Sequence, residues 1–133
     1  MRITIDLPPI TKKNSQQIVR AKGHYMVLPS KQYRKYEKEA SKMLKWKDEP
    51  IDYPVEVKCL YYMPTRRRVD LTNLLEATDD VLVKCGVLED DNSKIIVSHD
   101  GSRVLYDKEN PRTEIEIKPV LEETLESLEK RKE

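Results

Sequence analysis

The 133-residue chain predicts an α/β fold: a single domain over 1–133 with a mixed sheet of about four main strands, two core helices and a C-terminal helix. Two periodicities carry this reading. Residues 2–7 and 113–118 alternate apolar and polar side chains, as half-buried strands do. Residues 30–44 and 71–85 instead repeat their apolar residues at helical spacing. The expected order is strand, hairpin, helix, strand, helix, strand, strand, helix.

The opening strand stops at Pro8-Pro9, and Thr11-Lys12-Lys13-Asn14-Ser15 makes a polar, basic loop. Residues 17–20 and 24–28 flank Ala21-Lys22-Gly23, whose glycine suits a hairpin turn. Ser30 is an N-cap for a first helix with Tyr33, Tyr36, Ala40, Met43 and Leu44 as its apolar stripe. Lysines cover its other faces, which suits either a phosphate backbone or plain solvation. Residues 48–54 read as a loop, and 55–63 as a long strand that delivers the chain to Arg66-Arg67-Arg68. The second helix places Leu71, Leu74, Leu75, Thr78, Val81, Leu82 and Cys85 on one stripe, with Gly86 just past its end. A strand from Lys94 to about Val104 and another at 113–118 read as a hairpin, and a terminal helix occupies about 120–133.

Hydrophobic residues make up 38% and charged residues 37%, which fits one modest core in a charge-rich, water-soluble chain. An apolar run long enough to span a membrane and a signal-peptide pattern are both lacking, so a cytoplasmic protein without membrane partners is expected. Cys59 and Cys85 read as buried, reduced thiols. A lone histidine at 24 and another at 99 argue against a histidine metal site. The net charge of +1 conceals an asymmetry: residues 1–68 carry +9 and residues 69–133 carry −8. A basic half suits an anionic partner and an acidic half suits cations.

The chemistry concentrates in residues 66–94. Asp70 opens the second helix, and Asn73, Glu76 and Asp80 lie on one side of it, with Asp90-Asp91-Asn92 following the helix. Clustered carboxylates repel unless a cation neutralises them, and oxygen-only clusters suit Mg²⁺ or Mn²⁺. Arginines that hold phosphates beside carboxylates that hold metal are what phosphodiester hydrolysis requires. The plainer account is that Asp70 is an N-cap, Glu76 and Asp80 form a solvated face paired with Lys84, and Asp90-Asp91-Asn92 is an ordinary turn.

Arg67-Arg68-Val69-Asp70-Leu71-Thr72-Asn73-Leu74, then Asp80-Val81-Leu82, Gly86-Val87-Leu88 and Asp90-Asp91, resembles the RusA-like family of Holliday junction resolvases, endonucleases of prophages and phages. The resemblance implies a RusA-like fold and a Mg²⁺-dependent endodeoxyribonuclease, with Mn²⁺ substituting, that resolves four-way DNA junctions by paired symmetric nicks in recombination and repair. It implies Asp70 and Asp91 as metal ligands, with Glu76 and Asp90 completing the shell and Lys94 beside them. Backbone phosphates would meet Lys12, Lys13, Asn14, Arg66, Arg67, Arg68 and Asn73. Two nicks in a two-fold junction imply a symmetric homodimer, with Tyr33, Tyr36, Trp46 and the terminal helix as candidate contacts.

Two positions depart from the family pattern. Thr72 stands where a second aspartate is usual, and Glu76 where a lysine is usual. Glu76 is the expected replacement ligand, with the lysine's role passing to Lys94 or an arginine. The rival expectations are a junction-binding protein inactivated by Thr72, and a protein unrelated to nucleic acid whose acidic cluster is a structural cation site.

Overall fold

The computed structural model describes residues 1–12, 17–28 and 30–131, and side chains within that range except those of 17–21 and 26–28. Seven strands and three helices follow one another as β1 (Arg2–Ile5), β2 (Gln17–Ala21), β3 (His24–Leu28), α1 (Lys31–Met43), β4 (Val55–Met63), α2 (Leu71–Lys84), β5 (Ile96–Ser98), β6 (Arg103–Tyr106), β7 (Arg112–Pro119) and α3 (Glu122–Glu129). The main sheet runs β1-β7-β4-β5, and β6 continues along the β4 edge that β5 has begun to cover. β2 and β3 form their own two-stranded sheet. Lys22 and Gly23 between them both take positive φ, the turn geometry whose twist matches a tight hairpin.

β4 is the organising strand. β7 pairs antiparallel along nearly its whole length, from Val55 opposite Pro119 to Tyr62 opposite Arg112. Its other edge pairs parallel, Val55 with Ile96 and Leu60 with Arg103. A parallel pairing needs a long crossover, and α2 supplies it, making β4-α2-β5 a βαβ unit. The hairpin expected between a 94–104 strand and β7 therefore does not form. That stretch is two short strands, both paired to β4 and separated by a turn through Gly101, whose φ is +85. Local alternation cannot tell which strand a segment will pair with, and here β4 outcompeted the nearer neighbour in sequence.

Both core helices pack on one face of the sheet. Val55, Val57, Cys59 and Tyr61 alternate inward along β4 and meet Leu74, Ala77, Val81 and Leu82 of α2 and Tyr33, Tyr36 and Ala40 of α1. The Tyr61 hydroxyl pairs with Thr78 Oγ1 at 2.7 Å, and the Tyr33 hydroxyl donates to the Ala77 carbonyl at 3.3 Å, so α2 is pinned from both sides. Tyr33 and Tyr36 are 1% and 7% exposed, which removes both from the candidate dimer contacts. Met43, expected in the α1 stripe, is exposed instead. α3 is shorter than the sequence suggested and buries no residue, with Leu121 and Leu128 open to solvent.

Candidate active site

α2 begins and ends on sequence cues. Asp70 is its N-cap, and one carboxylate oxygen, Oδ1, accepts from the Thr72 backbone N–H at 3.0 Å and from Thr72 Oγ1 at 2.6 Å. Thr72 is thus a donor to Asp70 where a second aspartate would repel it. At the far end Gly86, with φ +76, donates to the Val83 carbonyl while Val87 donates to Leu82, a Schellman turn. Ile51 then bridges to Leu88 in parallel, with Ile51 donating to Val87 and accepting from Glu89. This bridge, inside a segment read as a plain loop, fixes the chain as it enters Asp90.

The acidic turn is built on its own side chains. Asp90 Oδ1 accepts from the Asp91 N–H at 2.8 Å and Oδ2 from Asn92 Nδ2 at 2.9 Å, while Asn92 Oδ1 accepts from the Lys94 N–H. These donors hold the Asp90 carboxyl below its ordinary range. Asp90 spends both oxygens on the turn, and Asp91 is what the turn presents. The Asp91 carboxyl is pushed upward by partial burial, by Asp90 and by the charge of Asp80. The charges of Asp91 and of Asp80 on α2 therefore lie close enough to act on one another.

Asp80 is half-buried and ion-paired with Lys12, whose ammonium also lies 5.8 Å from the Tyr33 ring centroid. The plain account paired Asp80 and Glu76 with Lys84; Lys84 instead reaches Glu37 on α1. Lys12, expected to meet phosphate, is committed to Asp80 on the acidic face. Lys13 and Asn14 lie outside the described residues. Glu76 is exposed and Asn73 half-buried on the same stripe, which runs Asp70, Asn73, Glu76, Asp80 down the helix. Asp70 and Asp80 are ten residues apart, about 15 Å along the axis. Among the described residues no three His, Cys, Asp or Glu side chains are gathered closely enough to hold a metal ion. The carboxylates of the stripe nonetheless offer the oxygen ligands a hard cation takes, with Lys12 paired to Asp80.

Arg66, Arg67 and Arg68 are exposed ahead of Asp70, and Arg66 lies over the Tyr106 ring at 4.3 Å. The Lys94 side chain is exposed and has no ion pair among the described residues.

The residue that sequence reasoning missed is Asp79. It is 9% exposed, faces away from the acidic stripe, and its Oδ2 meets His99 Nε2 at 2.9 Å; His99 Nδ1 meets the Val57 carbonyl at 2.8 Å. Both ring nitrogens of His99 face oxygens, one a carbonyl that only accepts, so the pair holds a proton more than neutral imidazole and carboxylate can supply. Burial pushes the Asp79 carboxyl up, the His99 hydrogen bond pulls it back, and Asp91 and Asp80 push it up further. Burial opposes the His99 charge but the Asp79 carboxylate outweighs it, so His99 is raised too. Asp79 Oδ1 is buried without a hydrogen-bond partner among the described residues. Only its helical spacing from Thr72, seven residues earlier, separated it in sequence from the Asp80 stripe.

Comparison with known proteins places this fold and site in a class. The chain belongs to the endodeoxyribonuclease RusA family, whose model matches residues 6–118, from just past β1 into β7. A relative from Aquifex aeolicus (strain VF5), named crossover junction endodeoxyribonuclease RusA, is 33% identical over 86 residues. That match spans 63% of this chain and 66% of the relative's length. The family resemblance carried by residues 67–91 thus extends over a far longer stretch than those motifs.

Proposed function

We propose that the chain is a structure-selective endonuclease that resolves four-way DNA junctions by hydrolysing phosphodiesters in paired, symmetric nicks, in recombination and repair. The observation that carries the reading is the family match over residues 6–118, which takes in the Asp70 helix start and the Asp90-Asp91 turn. We further assign Mg²⁺ or Mn²⁺ to this face, with oxygens offered by Asp91 and Asp80 toward one end of the stripe and by Asp70 and Glu76 nearer the helix N-terminus. Bound there, the cation would polarise the phosphate and activate water.

The chain's own residues do the rest. Thr72 and the first-turn N–H hold Asp70 in one orientation. Lys12 offsets the Asp80 charge while no cation is bound, so cation binding must displace it or share Asp80 with it. Arg66, Arg67 and Arg68 set backbone phosphates ahead of the helix N-terminus, whose dipole favours anions. Lys94 supplies a positive charge next to the acidic turn. Two nicks call for two such faces, so the working unit is a homodimer acting on branched DNA in the cytoplasm. None of the described helices is long and apolar enough to cross a membrane.

The test is cleavage of a labelled four-way junction in Mg²⁺ and Mn²⁺, beside a linear duplex of equal length. Paired nicks confined to the junction are expected, with Glu76→Gln reducing them. Tight junction binding without cleavage at any cation concentration would make Thr72 an inactivating change. Indifference to branching would remove junctions as the substrate.

A further inference from the structure

One surface feature is not used by the acidic face. At the C-terminal end of β4 a shallow groove of about 470 Å³ is lined by Tyr62, Arg66, Arg67, Val104, Leu105 and Tyr106 among others. Its floor is β6, a four-residue strand exposed at every position, where Val104, Leu105 and Tyr106 are 40%, 36% and 39% exposed. Three consecutive large apolar side chains at an open strand position are unusual on a charge-rich surface, and such patches commonly mark a binding site.

The rim decides what fits. Arg66 lies over the Tyr106 ring at 4.3 Å, and Arg112 lies over Tyr62 at 3.8 Å. Arg112 is neutralised by Asp107 at 2.9 Å and Glu114 at 2.7 Å, so it serves to fix the Tyr62 ring. Arg66 and Arg67 have no ion pair among the described residues, and no carboxylate lines the groove. A second copy of the same patch would set these arginines against their own counterparts across a two-fold axis, where like charges repel. An aromatic ligand carrying a negative charge meets every group: rings and aliphatic carbons below, guanidinium at the edge.

We propose that this groove is a stacking subsite for one unpaired nucleotide, its base against Tyr106 and its phosphate on Arg66 and Arg67. It rests on the junction-nuclease reading and deepens it. A base lodged here is three or four residues of chain from Asp70, so a strand opened at a branch point is held where the acidic helix begins. Recognition is by ring stacking, which accepts any base.

The test places 5-iododeoxyuridine at the exchange point of a four-way junction and, separately, within a single strand. Ultraviolet cross-linking is followed by mapping of the attached residue. Attachment at Tyr106 is expected from both probes. Tyr106→Ala should weaken junction binding by about tenfold, Tyr106→Phe should restore it, and thermal melting of both variants should match wild type. Junction binding and cleavage undisturbed in Tyr106→Ala, with attachment only elsewhere, would overturn the subsite and leave the nuclease standing. If Tyr106→Ala instead abolishes a dimer seen by sedimentation, the groove belongs to a second copy. Failure to bind either DNA would remove both the subsite and the reading beneath it.

Discussion

Asp79 and Asp80 are neighbours on α2, and the fold gives them opposite surroundings. Asp79 is turned inward, 13% exposed in its side chain, and bound to a histidine that is itself anchored to a β4 carbonyl. Asp80 is 28% exposed, lies within reach of the Asp91 charge, and has a lysine as its partner. A carboxylate buried with a fixed partner holds structure together, because removing the partner strands a charge. One facing another carboxylate across solvent, with an exchangeable counter-charge, is available to a cation. One step of about 100° around a helix separates these tasks.

The largest expected effect breaks the inward pair. His99→Ala leaves Asp79 buried with no partner and should cost about 3 kcal/mol of stability, read as a shift in urea midpoint at unchanged slope. Replacing both as His99→Leu with Asp79→Leu should cost much less than the single change, since the charge goes with its partner. The outward pair should behave the other way. Asp80→Asn should leave the urea midpoint within about 1 kcal/mol while reducing junction cleavage by roughly 10- to 100-fold.

The pH dependence sharpens the same contrast. His99 is raised on folding, so its contribution is complete below the unfolded value near 6.5 and is lost as pH climbs through the higher folded value. Asp79 is raised as well, so it too favours folding toward lower pH. Urea stability should fall as pH rises above about 6.5, and His99→Gln with Asp79→Asn should flatten that slope. The smallest effect belongs to Lys12→Ala. As a partly exposed pair it should alter stability by under about 1 kcal/mol, yet the Mg²⁺ concentration giving half-maximal cleavage should fall, because Asp80 loses its competing cation.

How much of this was legible in the sequence follows from distance along the chain. α2 was readable because its evidence is local: Asp70 caps it, Gly86 closes it, and the stripe between has one period. The β2–β3 hairpin and the Ser30 cap were readable for the same reason. The strand after the acidic turn was misassigned because its partner, β4, lies a helix away, and only pairing energy across the crossover selects it. Asp79 was passed over for a related reason: its meaning comes from His99, twenty residues on, and from Val57 on a third element. Asp91 was readable as a type of residue in a motif. That its charge reaches Asp80, with Asp70 about 15 Å up the helix, needed the fold.

The most direct measurement compares Asp91→Asn with wild type on a labelled four-way junction in Mg²⁺, using protein shown by urea melting to be equally stable. Asp91 is exposed, and the turn is closed by its backbone N–H on Asp90, which Asn retains. Junction binding should be retained and paired nicks lost. A variant that binds and cuts as wild type does would contradict the placement of the chemistry between the acidic turn and α2.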